Sequence, residues 1–242
     1  MAEVRNNELE ELSAAVGARL AAGLARHGRL VYSNSLGAEA MVLTDIIWSE
    51  FPGIDVFSID TGRLHEETYS LIERLQQRYG RRLRLVHPDA AELEALVAQQ
   101  GVNGFYGSLE ARLECCRIRK VEPFRRAIAG YPAWITGVRR EQSVGRARGE
   151  AEEWDGDYGL YKLSPLIDWT EAQVWHYIRA RQLPYNPLHD RQYPSIGCSP
   201  CTRAVQPGES RRAGRWWWEQ SESRECGLHP RNLPAAASAA AH

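Results

Sequence analysis

Residues 30–48 read LVYSNSLGAEAMVLTDIIW. The apolar run 30–32 predicts a short strand, the small and polar residues 33–37 predict a turn, and the pattern over 38–48 predicts a helix. Further strands are predicted at 54–59, 83–86, 133–138 and 161–166, and further helices at 8–27, 65–79, 90–100, 116–129 and 170–181. Strands that alternate with helices of this length predict right-handed βαβ units. The expected fold class is α/β, a mostly parallel twisted sheet with helices on both faces.

The composition describes a chain that can bury a core of its own. Of the 242 residues 43% are apolar and 25% are charged, and the formal net charge is −1. No apolar run reaches the roughly 18–20 residues of a membrane span, and the basic surplus that nucleic acid binding requires is missing. The first residues lack the charged-then-apolar pattern of a secretion signal. We therefore expect a cytoplasmic protein that binds neither membranes nor nucleic acid.

The cysteines form an odd set of five. They comprise the tandem pair Cys115 and Cys116, the Cys-x-x-Cys pair Cys198 and Cys201, and Cys226 alone. An odd number in a chain of cytoplasmic character disfavours a disulfide framework and favours a metal site plus one reactive thiol. Four thiolates are typical ligands of zinc or of an iron–sulfur cluster.

The tandem pair favours a cluster over a single ion. Adjacent side chains on a helix point about 100° apart, so neighbouring cysteines chelate one small ion poorly. We expect Cys115 and Cys116 at a helix N-terminus, where they could reach different irons of a [4Fe–4S] cluster and where the helix dipole favours thiolates. Three alternatives stay open: a structural zinc with four cysteines, a thioredoxin-like redox pair at Cys198 and Cys201, and burial of Cys115 and Cys116 as small apolar residues.

Three polar segments follow predicted strands, which is where ligands bind in parallel sheets. Residues 33–39 offer hydroxyls, a glycine and a helix N-terminus to an anion, or form only a helix cap. Residues 60–63 read Asp-Thr-Gly-Arg. The segment 139–148 carries Arg139, Arg140, Arg146 and Arg148, which suit a phosphate or sulfate group but would also suit a solvated surface loop.

Two further residues are candidates for chemistry. Cys226 lies close in sequence to Arg224 and His229, cations that favour the nucleophilic thiolate. Lys120 is one of only two lysines and follows Cys116 by four residues, on the same face of the predicted helix. Its charge would offset the thiolates or meet an anionic substrate.

The C-terminal part of the chain differs from the rest. Arg211, Arg212 and Arg215 precede three tryptophans at 216–218, which predicts either an anion clamp or tryptophans packed into the domain with the arginines in solvent. From Pro184 onward proline and glycine are frequent, and 234–242 is rich in alanine. We expect one α/β nucleotide-binding and iron–sulfur domain over 1–205, a mobile C-terminal arm with the reactive cysteine over 206–233, and a disordered tail over 234–242.

Taken together, these motifs resemble the adenylylsulfate (APS) reductases of the phosphoadenylylsulfate (PAPS) reductase family. The resemblance extends from about residue 33 to residue 229. It rests on SNSLGAE at 33–39, IDTGR at 59–63, CCRIRKVEP at 115–123, GVRREQS at 137–143, CSPC at 198–201, GRWWWE at 214–219 and ECGLH at 225–229. It implies an adenine nucleotide α-hydrolase-like fold.

The resemblance also bears on the substrate. The related ATP pyrophosphatases carry a Ser-Gly-Gly-x-Asp-Ser phosphate loop, whereas residues 33–39 lack the Gly-Gly pair and the aspartate. A nucleotide that already carries sulfate therefore fits better than cleavage of ATP or sulfur insertion. Family members with the Cys-Cys…Cys-x-x-Cys set are the iron–sulfur members, which typically prefer APS; cluster-free members use PAPS, and some cluster-bearing enzymes accept both.

By resemblance, the Cys226 thiolate attacks the sulfur of APS, AMP leaves, and thioredoxin (or glutaredoxin) releases sulfite from the enzyme S-sulfocysteine. The resemblance implies a homo-oligomer, a role in sulfate assimilation and cysteine biosynthesis, and a [4Fe–4S] cluster on Cys115, Cys116, Cys198 and Cys201. The implied substrate-binding residues are Ser33, Ser35, Gly37, Asp60, Gly62, Lys120, Arg139, Arg140, Arg146, Arg148, Arg212, Arg215 and His229. Two alternatives remain: a PAPS reductase that forms sulfite and adenosine 3′,5′-bisphosphate, and a zinc-stapled nucleotide-binding protein without turnover.

Overall fold

The computed structural model describes residues 6–142, 149–219 and Leu228. Its helices are α1 (Asn6–His27), α2 (Ala38–Glu50), α3 (Glu66–Tyr79), α4 (Ala90–Gln100), α5 (Leu109–Cys116), α6 (Glu122–Ile128) and α7 (Glu171–Ala180). Its strands are β1 (Leu30–Ser33), β2 (Asp55–Ile59), β3 (Arg84–Val86), β4 (Ala133–Ile135), β5 (Glu152–Asp155) and β6 (Leu160–Leu163). No helix in these ranges combines the length and the apolar character that crossing a membrane requires.

The strands form one mostly parallel sheet in the order β3-β2-β1-β4-β6-β5. β1 is parallel to both β2 and β4, and β4 is parallel to β6. β5 pairs with β6 in the antiparallel direction at one edge of the sheet. The expected α/β class is therefore confirmed.

The centre of the sheet positions the first candidate segment. β1 and β4 are buried along their apolar residues, and Tyr32 pairs in register with Ile135. The chain continues from β1 to β2 on one side of β1 and later adds β4 on its other side, so the strand order reverses beside β1. In open α/β sheets a ligand binds outside the carboxyl ends of the strands at such a reversal. Residues 33–39 and 136–142 leave the sheet there.

Two elements differ from the sequence-based expectation. The predicted helix over 116–129 is instead α5, a π-helical segment over Arg117–Val121, and α6. The strand β5 was not predicted, because its sequence Glu-Glu-Trp-Asp has no apolar alternation. Such a charged strand is typical of a sheet edge, where it discourages pairing with another chain.

The chain forms two compact units that interleave in sequence. The first unit comprises Met1–Ser58, Ser70–Arg84 and Ile128–Asn186, and the second comprises Ile59–Tyr69, Leu85–Ala127 and Pro187–His242. The first unit contains β1, α2, β4 and α7, and the second contains α5 and both cysteine pairs. The division of the chain into 1–205, 206–233 and 234–242 stays a prediction, and 220–227 and 229–242 lie outside the described residues.

Candidate functional site

In the first unit, the buried side chain of Asn34 stabilises the turn between β1 and α2. Asn34 accepts a hydrogen bond from the Leu36 N–H (2.8 Å) and donates one to Thr44 Oγ1 (2.8 Å). Leu36 has a φ of +59°, a left-handed conformation that is uncommon for a residue with a Cβ atom. The interior bonds of Asn34 therefore fix an unusual backbone path beside Ser33 and Ser35.

The N-terminus of α2 has no side-chain cap. Gly37 is the N-cap residue and has no side chain to cap the helix, and the Gly37 N–H itself bonds Ser35 Oγ at 3.4 Å. Whether residues 33–39 bind an anion or only begin the helix stays a prediction. N–H groups at the start of a helix attract an anion when no side chain occupies them.

Arg139 is 1% exposed, and its guanidinium contacts protein groups. Nε and Nη2 donate to Glu39 Oε1 (3.0 and 2.8 Å), and Nη1 donates to Glu141 Oε2 (2.7 Å) and to the Trp169 carbonyl (3.1 Å). Gln142 Nε2 donates to the same Glu39 oxygen at 3.0 Å. Burial raises the pKa of Glu39, but the charge of Arg139 and these hydrogen bonds outweigh burial and lower the pKa below its usual value.

Arg140, near the start of the arginine-rich segment, bonds the residue that directly follows the segment. Its Nε donates to the Gly149 carbonyl at 3.0 Å, and its Nη1 pairs with Asp168. Arg146 and Arg148 lie outside the described residues. The described partners of Arg139 and Arg140 are thus protein groups, and substrate binding by the four arginines stays a prediction.

In the second unit, both cysteine pairs line one cavity, which we call the thiol cavity. Its volume is about 350 Å³, including the part open to solvent, and its lining comprises Cys115, Cys116, Cys198 and Cys201 with Arg63, Phe105, Arg112, Arg119, Lys120 and Pro200. None of these four cysteines is in a disulfide bond. Within 6–142 and 149–219, no three His, Cys, Asp or Glu side chains are placed to hold a metal ion. The fold thus places the two cysteine pairs, which are distant in sequence, in the lining of the same cavity.

The tandem cysteines end a helix rather than begin one. Ser108 caps the start of α5, where its Oγ accepts from the Ala111 N–H at 3.1 Å. The π-helical segment follows Cys116 directly. The expected helix N-terminus at Cys115 and Cys116 is therefore wrong, and their thiolates must be stabilised by side chains instead.

The second pair lies in a tight turn. Residues Ser199–Cys201 form one turn of 3₁₀-helix, and the Cys201 N–H bonds the Cys198 carbonyl at 3.0 Å. A Cβ atom at Gly197 would lie 2.4 Å from Arg215 Nη2, so this position requires glycine unless Arg215 moves. Gly197 and Pro200 thus belong to the tight turn that carries Cys198 and Cys201.

Cations surround the thiols. Side-chain hydrogen bonds join Arg119 to Cys115, Arg112 to Cys116 and Lys120 to Cys198. Burial raises the pKa of Cys198, but Lys120 and a hydrogen bond with Thr61 Oγ1 (3.3 Å) outweigh burial and lower the pKa. Burial, followed by the negative charge of Cys198, raises the pKa of Cys201 to about 11. Cys198 is thus the better thiolate of its pair.

The turn after β2 is connected to the thiol cavity. Asp60 Oδ1 accepts from the Gly62 N–H (2.8 Å) and from the Tyr69 hydroxyl (2.9 Å), and Gly62 has a left-handed φ of +70°. Arg119 Nη1 donates to the Thr61 carbonyl at 2.6 Å. Because Arg119 also bonds Cys115, one buried side chain links this turn to a thiol.

The described end of the chain packs on the same unit. Trp216 is completely buried, and the guanidinium carbons of Arg112 and Arg215 lie 4.7 and 4.5 Å from its ring centre. Arg112 also makes two parallel hydrogen bonds with Glu219 (2.8 and 2.7 Å). The alternative of packed tryptophans thus holds for Trp216, but Arg215 is buried with it rather than solvated. Arg212 is half-buried.

The predicted and the observed site residues differ in part. Cys226 and His229 lie outside the described residues, so their roles stay predictions. Arg112 and Arg119, which the motif analysis did not single out, could have been found because each lies four positions from a cysteine of the tandem pair. Thr61 gave no such signal, because its contact with Cys198 is long-range.

Comparison with known proteins gives consistent matches. The model of the phosphoadenosine phosphosulfate reductase domain matches residues 29–204. An adenosine 5'-phosphosulfate reductase from Burkholderia cepacia is 52% identical over 219 residues, which are 89% of this chain and 88% of that protein. One from Allochromatium vinosum is 53% identical over 204 residues, which are 84% of this chain and 80% of that protein.

Solved structures agree on the fold. The phosphoadenylyl-sulfate (PAPS) reductase of Candida auris, in its phosphate complex, is 25% identical with a TM-score of 0.68, over 84% of this chain and 99% of that one. The FMN adenylyltransferase of Candida glabrata, 16% identical, has a TM-score of 0.59 over 87% of this chain and 73% of that one. The expected adenine nucleotide α-hydrolase-like architecture is thereby confirmed. This chain belongs to the phosphoadenosine phosphosulfate reductase family.

Proposed function

We propose that this protein reduces adenosine 5'-phosphosulfate to sulfite and AMP, as an oxidoreductase of assimilatory sulfate reduction that serves cysteine biosynthesis in the cytoplasm. The observation that carries the proposal is the thiol cavity, in which Lys120 and two cysteine pairs meet. Relatives that are about half identical over most of the chain are named for this reaction. A cation in a largely buried site is suited to stabilise the charge that develops on a departing phosphate.

We propose that the thiol cavity holds a [4Fe–4S] cluster on Cys115, Cys116, Cys198 and Cys201. Four thiols are the donor set of such a cluster, and the buried Trp216 Nε1 has no partner among the described residues, which leaves a donor for an inorganic sulfide. A single zinc ion on the same four thiols is the alternative, and the metal content of the purified protein distinguishes the two. When bound, the cluster supplies a fixed charge beside Lys120 and ties the two cysteine pairs together.

The proposed chemistry takes place at Cys226. Its thiolate attacks the sulfur of the phosphosulfate, a sulfur–sulfur bond forms, and the sulfur–oxygen bond breaks with its electron pair leaving on AMP. One thiolate of reduced thioredoxin then attacks the Cys226 sulfur and displaces sulfite. The second thioredoxin thiol resolves the mixed disulfide, so that thioredoxin supplies both electrons and Cys226 returns to its thiol form. Glutaredoxin is the alternative donor, and we further propose a homo-oligomer by family resemblance.

We propose nucleotide-binding roles for the residues that the family resemblance implies. The uncapped N-terminus of α2 supports an anion-binding role for Ser33, Ser35 and Gly37. The turn after β2 and the arginine-rich segment are proposed to hold the adenosine and its phosphate, through Asp60, Gly62, Arg140, Arg146 and Arg148. The phosphosulfate is assigned to Lys120, Arg212, Arg215 and His229.

PAPS is the second candidate substrate. The solved structure with a TM-score of 0.68 is named a PAPS reductase, and its chain is covered almost completely. PAPS differs from APS by one phosphate group on the ribose, so the same assay with each nucleotide distinguishes the two substrates.

The test is a sulfite assay on protein purified without oxygen, with thioredoxin and its reductase and with APS or PAPS. We expect sulfite from APS, a brown protein that contains iron, and covalent labelling by sulfur-35 APS. Cys226→Ser should abolish both labelling and sulfite release, while iron content and AMP binding stay unchanged. Ser221→Ala is the matched control in the same segment and should keep full activity.

Each part of the proposal has its own contrary result. Sulfite release at the wild-type rate by Cys226→Ser would contradict the nucleophile. Activity with PAPS and little with APS would contradict the substrate. Zinc in place of iron would contradict the cofactor.

A further inference from the structure

Glu39 and Arg139 form a buried ion pair in the first unit. Glu39 is in the first turn of α2 and Arg139 follows β4, so the pair joins segments that leave two neighbouring strands. The two charged groups approach to 2.8 Å. Gly137 makes the approach possible, because a Cβ atom there would lie 3.2 Å from the Glu39 Cβ. The backbone is therefore adapted to this pair.

The donors of Arg139 are almost all occupied. A guanidinium has five N–H groups; two bond Glu39, one bonds Glu141 and one bonds the Trp169 carbonyl. A bidentate grip on a phosphate or sulfate would require two free donors on one edge. The geometry thus leaves Arg139 unable to grip an anion without breaking this pair.

The position of Glu39 makes its neutralisation important. A carboxylate in the first turn of α2 adds negative charge to the helix end that is proposed to attract the substrate phosphate. Left unpaired, a mostly buried carboxylate would repel that phosphate, since a low-dielectric surrounding strengthens charge interactions. Arg139 cancels this charge and, with Gln142, fixes the side chain of Glu39.

We infer that Arg139 is a positioning residue that acts through Glu39, keeping the N-terminus of α2 open to the substrate phosphate, and that it does not bind the substrate itself. This role rests on the proposed function, because it assumes that an adenine nucleotide binds at this helix. Under this inference Glu39 affects substrate affinity, and Arg139 makes no direct contact with the substrate.

The test is a double-mutant cycle of Glu39→Gln and Arg139→Met, read by calorimetric titration with AMP and by the KM for APS. Arg139→Met leaves Glu39 unpaired, so the AMP dissociation constant should rise at least tenfold and the KM should rise with it, with kcat within threefold of wild type. Glu39→Gln alone should bind AMP at least as tightly as wild type, within threefold. The double variant should also stay within threefold of wild type, because both charges are gone.

Direct binding predicts a different pattern. If Arg139 gripped the substrate, Arg139→Met would weaken AMP binding equally with Glu or Gln at position 39, and a tenfold loss in the double variant relative to Glu39→Gln would overturn the inference. That comparison suffices even if Arg139→Met alone does not fold, because neutral groups of similar volume often replace a buried ion pair without loss of stability. A wild-type protein that bound neither AMP nor APS would instead overturn the proposed function, and this inference with it.

Discussion

The guanidinium of Arg112 is completely buried in the second unit, where it contacts both polar and aromatic groups. It pairs with Glu219 through two hydrogen bonds, lies against the Trp216 ring and bonds Cys116. Glu219 is the last residue described before the segment that leads to Cys226. Arg112 therefore fastens the end of the described chain to a helix that carries two thiols.

Removing the partner of a buried charge is more harmful than removing an exposed pair. Glu219→Ala should lower the free energy of unfolding by about 3–5 kcal/mol, because it removes the carboxylate partner from a buried ion pair. Glu219→Gln keeps an acceptor and should lower it by less. Urea unfolding of protein purified without oxygen measures both.

The matched control is Glu209→Ala. It removes a bidentate pair with Arg203 whose side chains are about one third exposed, and an exposed pair contributes about 0–1 kcal/mol. Equal losses for Glu219→Ala and Glu209→Ala would contradict the special role of Arg112.

At the residue scale, sequence reasoning identified the cysteines because few chemistries need four thiols. It did not identify Arg112, because all but two of the 30 basic residues are arginine and none stands out by type. It assigned Arg139 to the substrate, whereas its near-complete burial depends on long-range packing that no local pattern records.

Among the elements, α7 has the best-defined start. Thr170 Oγ1 accepts from the Gln173 N–H at 3.2 Å, and Gln173 Oε1 accepts from the Thr170 N–H at 2.8 Å, which completes a capping box. The next residue, Glu171, donates its N–H to Glu141, the second carboxylate partner of Arg139. The start of α7 thus bonds a carboxylate that also bonds Arg139.

Loss of this cap should be measurable. Thr170→Ala should lower the free energy of unfolding by about 1 kcal/mol, whereas Thr170→Ser keeps the hydroxyl and should change it by less than half of that. Urea unfolding with both variants checks the prediction. An equal loss in both variants would indicate that the methyl group, and not the hydroxyl, stabilises this helix.

At the element scale, the strongly patterned helices and strands were predicted to within a few residues. The start of the cysteine-bearing helix was missed, because Ser108 and the short α5 lie in a segment with weak apolar periodicity. β5 was missed for the same reason. Local pattern fails where long-range packing or a sheet edge decides the structure.

For the whole molecule, removal of the proposed cluster is the most informative perturbation. With a chelator under anaerobic conditions, amide hydrogen exchange should accelerate around residues 109–121 and 197–203, because the two cysteine pairs lose their common ligand and the cations around them lose their counter-charge. Peptides from β1 and β4 should change little. Mass spectrometry of deuterium uptake measures both regions.

Two outcomes would contradict this expectation. Unchanged exchange in every peptide would mean that the four cysteines hold nothing that the chelator removes. Equal acceleration in both regions would mean general unfolding rather than the loss of a local ligand.

The interleaved order of the two units has a consequence for biosynthesis. Cys198 follows Cys116 by about 80 residues, which a ribosome adds in roughly 4–16 s at about 5–20 residues per second. During that interval the nascent chain carries two adjacent thiols and no second pair. Assembly of the proposed cluster on all four thiols must therefore wait until translation has passed Cys201.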